Sequence, residues 1–509
     1  MRVAVASSPR GHVFAVHGRL ETVRYDEVIV PTDRRFRVGS TWDGVLSGVR
    51  PVRPDNWGRG YGRSQENAGV WFISVFDDVA VTGDELEQRL DVLVGAIVAE
   101  SRLSSVDRRV VALPVLGLGG GAQGARRGEV IRELVAALSR IASQHGVDIA
   151  LVTPDLAVHG AIQHLRRQHS ETHFELSRTE ADAAAELGAL AQQGHLALFL
   201  GAGVSMAAGL PSWGQLLRDL SRHAKIASSD FDSLADSPLD QAELISLHLN
   251  DRLGSTVAAI VRAKTQVSLA HALLAGLDCG EVVTTNYDGL YELAVESTGR
   301  PRPVQLPRET VRAGRPWLLK MHGDVSDEDS IVLTRRSFVR YDAQSRPAGS
   351  LLQSLMMTKH LLVVGTSMSD DNVIRLAVEV DDFLKSDAHF GTFVDVSAPS
   401  ARTKLWEKRF HWLNCAGDDT AARVRRMEIF LDAVGMFAAT DASWLLDGRF
   451  AGLLEPTDRK ITAEARRVAQ KAFESGSGLL QPLQQRLGEL GAKRQTKLPR
   501  LSRTRATLQ

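Results

Sequence analysis

The sequence contains only two cysteines, Cys279 and Cys415, among 509 residues. Two thiols cannot build a disulfide framework or a four-cysteine zinc site, so the composition fits a reducing cytosol. No apolar run approaches the roughly 20 residues that span a bilayer, and the first residues, MRVAVASSPRG, lack the apolar core of a signal peptide. We therefore expect a cytoplasmic protein without a membrane segment.

The sequence also lacks net charge, because 61 Lys and Arg residues balance 61 Asp and Glu residues. This balance favours neither nucleic-acid nor membrane binding. One local excess stands out, since residues 486–509 hold seven Lys or Arg against Glu489 alone. We expect a solvated basic tail. The alternative is a contact with nucleic acid or with an acidic partner, and the absence of aromatic residues for base stacking in this segment weakens the nucleic-acid case.

A hydrophobic content of 44% and a charged content of 24% are typical of a globular protein of two to four domains. The alternation of short apolar runs with helical periodicity predicts the α/β class. We expect an α/β domain over residues 1–160, a helical linker over 161–194 and a Rossmann-like domain with a parallel sheet over 195–417. A helical region over 418–485 and the basic tail over 486–509 follow, and residues 423–434 are expected to pack on the preceding domain.

Two loops draw attention in the first domain, whose strands are predicted at residues 3–6, 13–16, 27–30, 70–75, 110–113 and 147–152, with a helix at 84–100. One loop, Thr32-Asp33-Arg34-Arg35, follows an early strand. The other, residues 117–122, is rich in glycine and follows a late strand. Small residues in such a loop form a backbone-lined cradle that suits a diphosphate.

This pair of loops resembles the macro domain, which holds ADP-ribose between two loops in these positions. The resemblance covers most of residues 1–155 and implies a site for an ADP-ribose-like ligand. The Asn-rich segment common in that family is replaced here by Thr32-Asp33-Arg34-Arg35, so binding is expected rather than removal of ADP-ribose from a protein. The alternative is an α/β domain used for packing or oligomerisation.

Residues 196–213, LALFLGAGVSMAAGLPSW, organise the second domain. The apolar run predicts a buried parallel strand, and the mixed pattern after the glycines predicts the start of a helix. Gly201 and Gly203 let the backbone turn tightly and approach a ligand, and the amides of the following helix favour a phosphate.

Polar residues follow three later strands of the same domain. Asn286 and Asp288 follow the strand that begins at Glu281, His322 follows residues 317–320, and a hydroxyl-rich loop follows residues 360–364. Ligands bind at this edge of an open parallel sheet. Each residue also has an ordinary interpretation: His322 as a structural histidine, and Asp288 as a cap for the helix that begins at Gly289.

Taken in order, GAGVS, GLPSW, TTNYD, KMHGD and GTSMSDDN resemble the sirtuin family, and more closely its bacterial branch without a zinc module, over about residues 185–415. The resemblance implies NAD as the substrate. It assigns Asn286 and His322 to catalysis, with Pro211 and Trp213 covering the nicotinamide pocket. The residues implied to bind NAD are Gly201, Ala202, Gly203, Ser205, Asp288, Gly365, Thr366 and Ser367.

The resemblance also bears on the reaction. Residues 325–359 contain no cysteine, so the zinc module is absent, no metal is expected, and hydrolysis of NAD by water is favoured over protein deacylation. Members of this branch commonly deplete NAD in antiphage defence, which implies a regulated effector that acts as a homo-oligomer or with another defence protein. The alternatives are a protein deacylase, an ADP-ribosyltransferase, and a non-catalytic sensor of NAD or ADP-ribose.

Overall fold

The computed structural model describes residues 10–101, 109–118, 122–169, 174–311, 314–384, 388–398, 400–401, 403–475 and 477–494. The predicted strand at residues 3–6, glycines 119–121 of the predicted diphosphate loop, and the part of the basic tail beyond residue 494 lie outside the described residues. The described chain builds two seven-stranded sheets. The predicted α/β class is confirmed.

The first sheet is mixed, with strand order β1-β7-β6-β2-β4-β3 and β5 paired to β4. β3 and β5 run antiparallel to β4, and the other neighbours are parallel. β3 and β5 have three and two residues, too few to show the alternation that predicts a strand. The strands are β1 (Val13–His17), β2 (Glu27–Asp33), β3 (Tyr61–Arg63), β4 (Val70–Asp77), β5 (Val79–Ala80), β6 (Val110–Pro114) and β7 (Asp148–Thr153).

Alternating residues send the two faces of the first sheet into different cores. Ala15 and Ile29 pack against helices Gly83–Ser101 and Arg127–His145. Their neighbours Phe14, Val16, Val28 and Val30 belong to a core that continues into the second domain. The two domains therefore share buried apolar surface, and helix Leu156–Arg167 crosses the predicted boundary at residue 160.

The second sheet is parallel throughout, with strand order β10-β11-β9-β8-β12-β13-β14. Leu196–Leu200 is buried along its whole length, as expected for a strand covered on both faces. The strands that follow this central strand along the chain are placed first on one side of it and then on the other. This reversal creates a topological switch point at its carboxyl end. The strands are β8 (Leu196–Leu200), β9 (Glu281–Thr284), β10 (Val304–Leu306), β11 (Trp317–Lys320), β12 (His360–Val364), β13 (Gly391–Asp395) and β14 (Phe410–Asn414).

Side-chain caps fix where several helices of the second domain begin. Ser212 and Ser268 each close a capping box at the start of a helix, which satisfies amides that the helix leaves unpaired. The helices are Ala202–Met206, Trp213–His223, Ser228–Asp232, Pro238–Leu249, Leu253–Arg262, Leu269–Gly276, Leu290–Ser297, Arg335–Thr358, Asp371–Phe383 and Thr403–Trp406.

The C-terminal region is helical, as predicted, with helices Thr420–Ala438, Pro456–Glu474 and Gln481–Glu489. We call Thr420–Ala438 the bridging helix and Arg178–Gln192 the linker helix. The bridging helix packs against the linker helix, β1 and helix Leu269–Gly276. The sequence predicted contact with the second domain, and the structure adds contacts with β1 and helix Leu156–Arg167 of the first.

Three charged side chains fix the bridging helix between the domains. Arg425 donates two hydrogen bonds of 2.8 Å to Asp148 at the start of β7. Arg426 pairs with Glu180 of the linker helix. Asp432, fully buried, accepts from Arg166 and lies 2.7 Å from His12 Nε2.

Among the described residues, no helix combines the length and apolar character needed to cross a membrane.

Candidate functional site

A cavity of about 510 Å³ opens at the carboxyl ends of β8, β9, β11 and β12. It is the place where the switch point predicts a ligand. Of the predicted site residues, Gly203 is missing from the cavity wall. Those that line it are Gly201, Ala202, Ser205, Asn286, Asp288, His322, Gly365, Thr366 and Ser367.

Two glycine loops interlock at the floor of the cavity. Gly203 N donates to Gly365 O at 2.8 Å, and Gly201 N donates to Val364 O at 2.9 Å. A Cβ on Gly201 would lie 2.5 Å from Gly365 O, and one on Gly365, where φ is +74°, would lie 2.6 Å from Val204 N. Only glycine fits such an approach. Gly203 therefore joins the two loops without lining the cavity. It lies in the five-residue helix Ala202–Met206.

The Asn286 amide is held by the first glycine loop. Its Nδ2 donates to Gly201 O at 3.0 Å and to Ser205 Oγ at 2.9 Å. Its Oδ1 makes no hydrogen bond among the residues that the structure describes and remains available to accept one. Ser205, which the resemblance assigned to NAD binding, here contacts and positions Asn286.

Both carboxylate oxygens of Asp288 are in use. Oδ2 accepts from Ser205 Oγ at 2.8 Å, and Oδ1 accepts from Leu290 N at 3.0 Å in the first turn of helix Leu290–Ser297. The hydrogen bond from Leu290 N is therefore direct support for the capping role of Asp288 that the sequence left open. Binding of NAD by Asp288 stays a prediction.

Two buried groups that the sequence analysis did not single out support this floor. His271 Nδ1 lies 2.8 Å from Ser268 Oγ, and its Nε2 lies 3.5 Å from Ser205 Oγ. Burial lowers the pKa of His271 to about 4, so the ring is neutral at pH 7. Lys320 lies two residues before His322 in the KMHGD motif, but nothing in its residue type separates it from an ordinary strand lysine.

Lys320 is a buried cation beneath the site. Its Nζ lies 2.8 Å from Glu292 and 2.6 Å from Asp324, and it donates to Asp288 O at 2.5 Å. Burial opposes the charge, but the two carboxylates raise the pKa of Lys320. The ammonium group thereby ties the exits of β9 and β11 together.

His322 also lines the cavity and is almost fully buried. Its ring packs edge-on against Phe338 at 5.2 Å and against Tyr341 at 6.0 Å. Its Nε2 lies 3.0 Å from Asp370 Oδ2. The sequence analysis placed Asp370 in a hydroxyl-rich loop and did not anticipate this pair.

Comparison with known proteins agrees with the geometry. Residues 280–411 match the family model of the SIR2-like domain, a span that contains Asn286, His322 and the second glycine loop. The second domain is sirtuin-like.

Several relatives match the chain over part of their length. A protein named NAD(+) hydrolase ThsA from Acinetobacter baumannii (strain 532279) is 29% identical over 187 residues, which cover 36% of this chain and 38% of that protein. Its namesake from Enterococcus faecium is 28% identical over 200 residues, which cover 37% and 40%. Defense-associated sirtuin 2 of Bacillus subtilis is 23% identical over 233 residues, covering 44% and 23%. The chain thus spans two fifths or less of these three relatives.

Part of the wall of the sirtuin-like cavity is apolar. Pro211 and Trp213, predicted to cover the nicotinamide pocket, both line it. Such a wall can take up a flat ring and exclude water around it. The other apolar side chains there are Leu210, Leu216, Leu239, Val261 and Phe338.

Residues 325–359 of the sirtuin-like domain, where the sequence predicts no zinc module, contain helix Arg335–Thr358. This helix supplies Phe338 and Tyr341 to the His322 ring. Among the described residues, no group of three or more His, Cys, Asp or Glu side chains is arranged to hold a metal ion.

The first domain contacts the back of the sirtuin-like site through residues 20–24, which we call the contact strap. Arg24 N donates to Val267 O, and Val267 N donates to Thr22 O, both at 2.8 Å. Arg24 Nη1 also donates to Ala207 O at 3.4 Å. Val267 precedes Ser268, the partner of His271, so the strap adjoins the residues that position Ser205 and Asn286.

Proposed function

We propose that the chain is an NAD hydrolase that cleaves the nicotinamide N-glycosidic bond. NAD and water yield nicotinamide, ADP-ribose and a proton. The observation that carries the proposal is the cavity in which Asn286, His322 and two interlocked glycine loops meet. Asn286, His322 and the second glycine loop lie within the SIR2-like span. Relatives named NAD(+) hydrolase support the same reaction.

The residues fit the demands of that reaction. Departure of nicotinamide leaves an oxocarbenium-like centre, so the site must hold the ribose, desolvate the leaving ring and orient water. The apolar wall around Trp213 suits the ring. Asn286 Oδ1 can accept a hydrogen bond from water or a ribose hydroxyl, and His322 can accept a proton.

The remaining predicted residues keep binding roles in this proposal. Gly201, Ala202 and Ser205 adjoin the diphosphate, and Asp288 adjoins the nicotinamide ribose. Gly365, Thr366 and Ser367 receive the adenosine ribose and its phosphate. Gly203 contributes indirectly, by joining the two loops.

We further propose that the hydrolase is a regulated cytoplasmic effector of antiphage defence. The first domain would act as a macro-like sensor of an ADP-ribose-like ligand, and assembly with a second copy or another defence protein would raise a low basal activity. The contact strap supports this arrangement because it joins the first domain to the residues behind Asn286. The name of the Bacillus subtilis relative supports the defence context.

The products test the function. The full-length protein is incubated with NAD, with and without an acetylated peptide, and nicotinamide, free ADP-ribose and modified protein are quantified beside a His322→Ala variant. Hydrolysis predicts equal amounts of nicotinamide and free ADP-ribose, and neither from the variant. Less free ADP-ribose than nicotinamide, together with ADP-ribosylated protein, would instead indicate an ADP-ribosyltransferase. Deacetylation of the peptide would indicate a deacylase.

The contact strap gives a second prediction. Arg24→Ala removes the side-chain contact with Ala207 O but leaves the backbone bonds to Val267. We expect it to change the activation of NAD hydrolysis by ADP-ribose by about twofold to thirtyfold, the range of energetic coupling between sites. Arg19→Ala, an exposed arginine beside the strap, is the control. An unchanged response in Arg24→Ala would remove the strap from the regulatory scheme.

A further inference from the structure

Asp370 and His322 come together from strands that are not neighbours. His322 follows β11 and Asp370 follows β12, and β9 and β8 lie between these strands in the sheet. The loop after β12 therefore extends across the sheet edge to bring Asp370 Oδ2 within 3.0 Å of His322 Nε2.

The Asp370 carboxylate is fixed from behind. It is the N-cap of the 13-residue helix Asp371–Phe383, and its Oδ1 accepts from Asn372 N at 2.9 Å and Val373 N at 3.3 Å. Burial opposes its ionisation, but contact with His322 and these two amides lowers the pKa of Asp370. With Oδ1 occupied, Oδ2 is the oxygen that faces the histidine.

The two ring nitrogens of His322 have different surroundings. Nε2 is fully buried and lies 3.0 Å from Asp370 Oδ2, and it makes no hydrogen bond of good geometry to any described residue. Nδ1 has no hydrogen-bond partner among the described residues and is not among the buried unpaired atoms. Because His322 lines the cavity, Nδ1 is the nitrogen that a substrate can reach.

We propose that Asp370 is a positioning residue that keeps the ring proton of His322 on Nε2, so that Nδ1 is the proton acceptor. This inference rests on the proposed NAD hydrolysis. In the reaction, a ribose hydroxyl or the attacking water transfers its proton to Nδ1. The ring becomes a cation beside the Asp370 carboxylate, and the proton passes to solvent after the products leave.

Asp370→Asn tests this tautomer. Asparagine caps helices as well as aspartate does, and with its Oδ1 held by the two backbone amides its NH2 group must face Nε2. Nε2 then has to accept, so the ring proton moves to Nδ1. We expect kcat to fall about tenfold to a hundredfold with KM nearly unchanged, a part of the 10²–10⁴ that a general base contributes.

Two further variants separate position from folding. Asp370→Ser keeps a capping hydroxyl but has no group that reaches the ring, so kcat should fall without inversion of the tautomer. Asp382→Asn, an exposed residue on the same helix, should behave as the wild type. Thermal unfolding of all variants reports whether the helix cap survives.

Nitrogen-15 NMR of histidine-labelled protein reads the tautomer directly, with His322→Gln identifying the signals. Protonated Nε2 in the wild type and protonated Nδ1 in Asp370→Asn are expected. The same tautomer in both proteins, or an unchanged kcat in a folded Asp370→Asn variant, would overturn the proposal. If the wild type releases no nicotinamide, the proposed hydrolysis fails, and the spectra still decide whether Asp370 sets the ring proton.

Discussion

Asn286→Ala is expected to lower kcat for NAD hydrolysis by about 10²–10³, the loss typical of one preorganised polar group at a reacting centre. The variant removes the Oδ1 acceptor and both hydrogen bonds that connect the exit of β9 to Gly201 and Ser205. Steady-state release of nicotinamide measures the effect. NAD affinity, from calorimetry, should change far less because the glycine loops stay joined to each other.

Ser205→Ala is the matched control for this loss. It removes one of the two partners of the Asn286 amide but leaves the bond to Gly201, so a smaller decrease in kcat is expected. Equal losses in the two variants would mean that Asn286 acts by holding the loop. A fully active Asn286→Ala variant would remove this residue from catalysis and weaken the proposed mechanism.

Asp432→Ala is expected to destabilise the protein by about 3–5 kcal/mol, the range for breaking a buried ion pair. The change leaves the buried Arg166 guanidinium without its carboxylate and removes the partner of His12. Chemical denaturation followed by tryptophan fluorescence measures the loss. The unfolding transition at the lowest denaturant concentration should shift most, to still lower concentration, because Asp432 lies where the two domains meet.

Two comparisons sharpen this prediction. Asp432→Asn keeps an acceptor for Arg166 and should cost less, whereas Asp182→Ala, in an exposed pair with Arg178, should leave the transition nearly unchanged. Although burial opposes ionisation, Arg166 and His12 lower the pKa of Asp432. Its stabilising effect is therefore present above the unfolded value of about 3.9 and is lost as pH falls, so wild type and Asp432→Asn should converge in acid. If the difference in unfolding free energy between wild type and Asp432→Asn did not change with pH, the electrostatic account would be contradicted.

The sequence could predict the elements that carry a periodic or apolar signal. The run LALFL is β8, and the polar residues after β9, β11 and β12 meet at one edge because parallel strands place their carboxyl ends together. Asn286 and His322 were found in this way, and the cavity contains both. Their catalytic roles remain predictions.

The contacts that set the orientation of these side chains had no sequence signal. Asp370 meets His322 across two intervening strands, and His271 supports Ser205 from a helix 66 residues away. Both arrangements depend on tertiary packing that periodicity does not encode. The same holds for the bridging helix, whose apolar spacing predicts a helix but not that it contacts both domains.

The bridging helix also sets an order of events during synthesis. The apolar face of β1, with Phe14 and Val16, is synthesised before the second sheet, but part of its cover, Thr420–Ala438, leaves the ribosome only after that sheet. Until then the first domain has no partner for Asp148 or Arg166 on that helix. A nascent chain interrupted before Thr420 would expose apolar surface and leave Arg166 without its carboxylate partner Asp432, which would make it a substrate for chaperones and proteases.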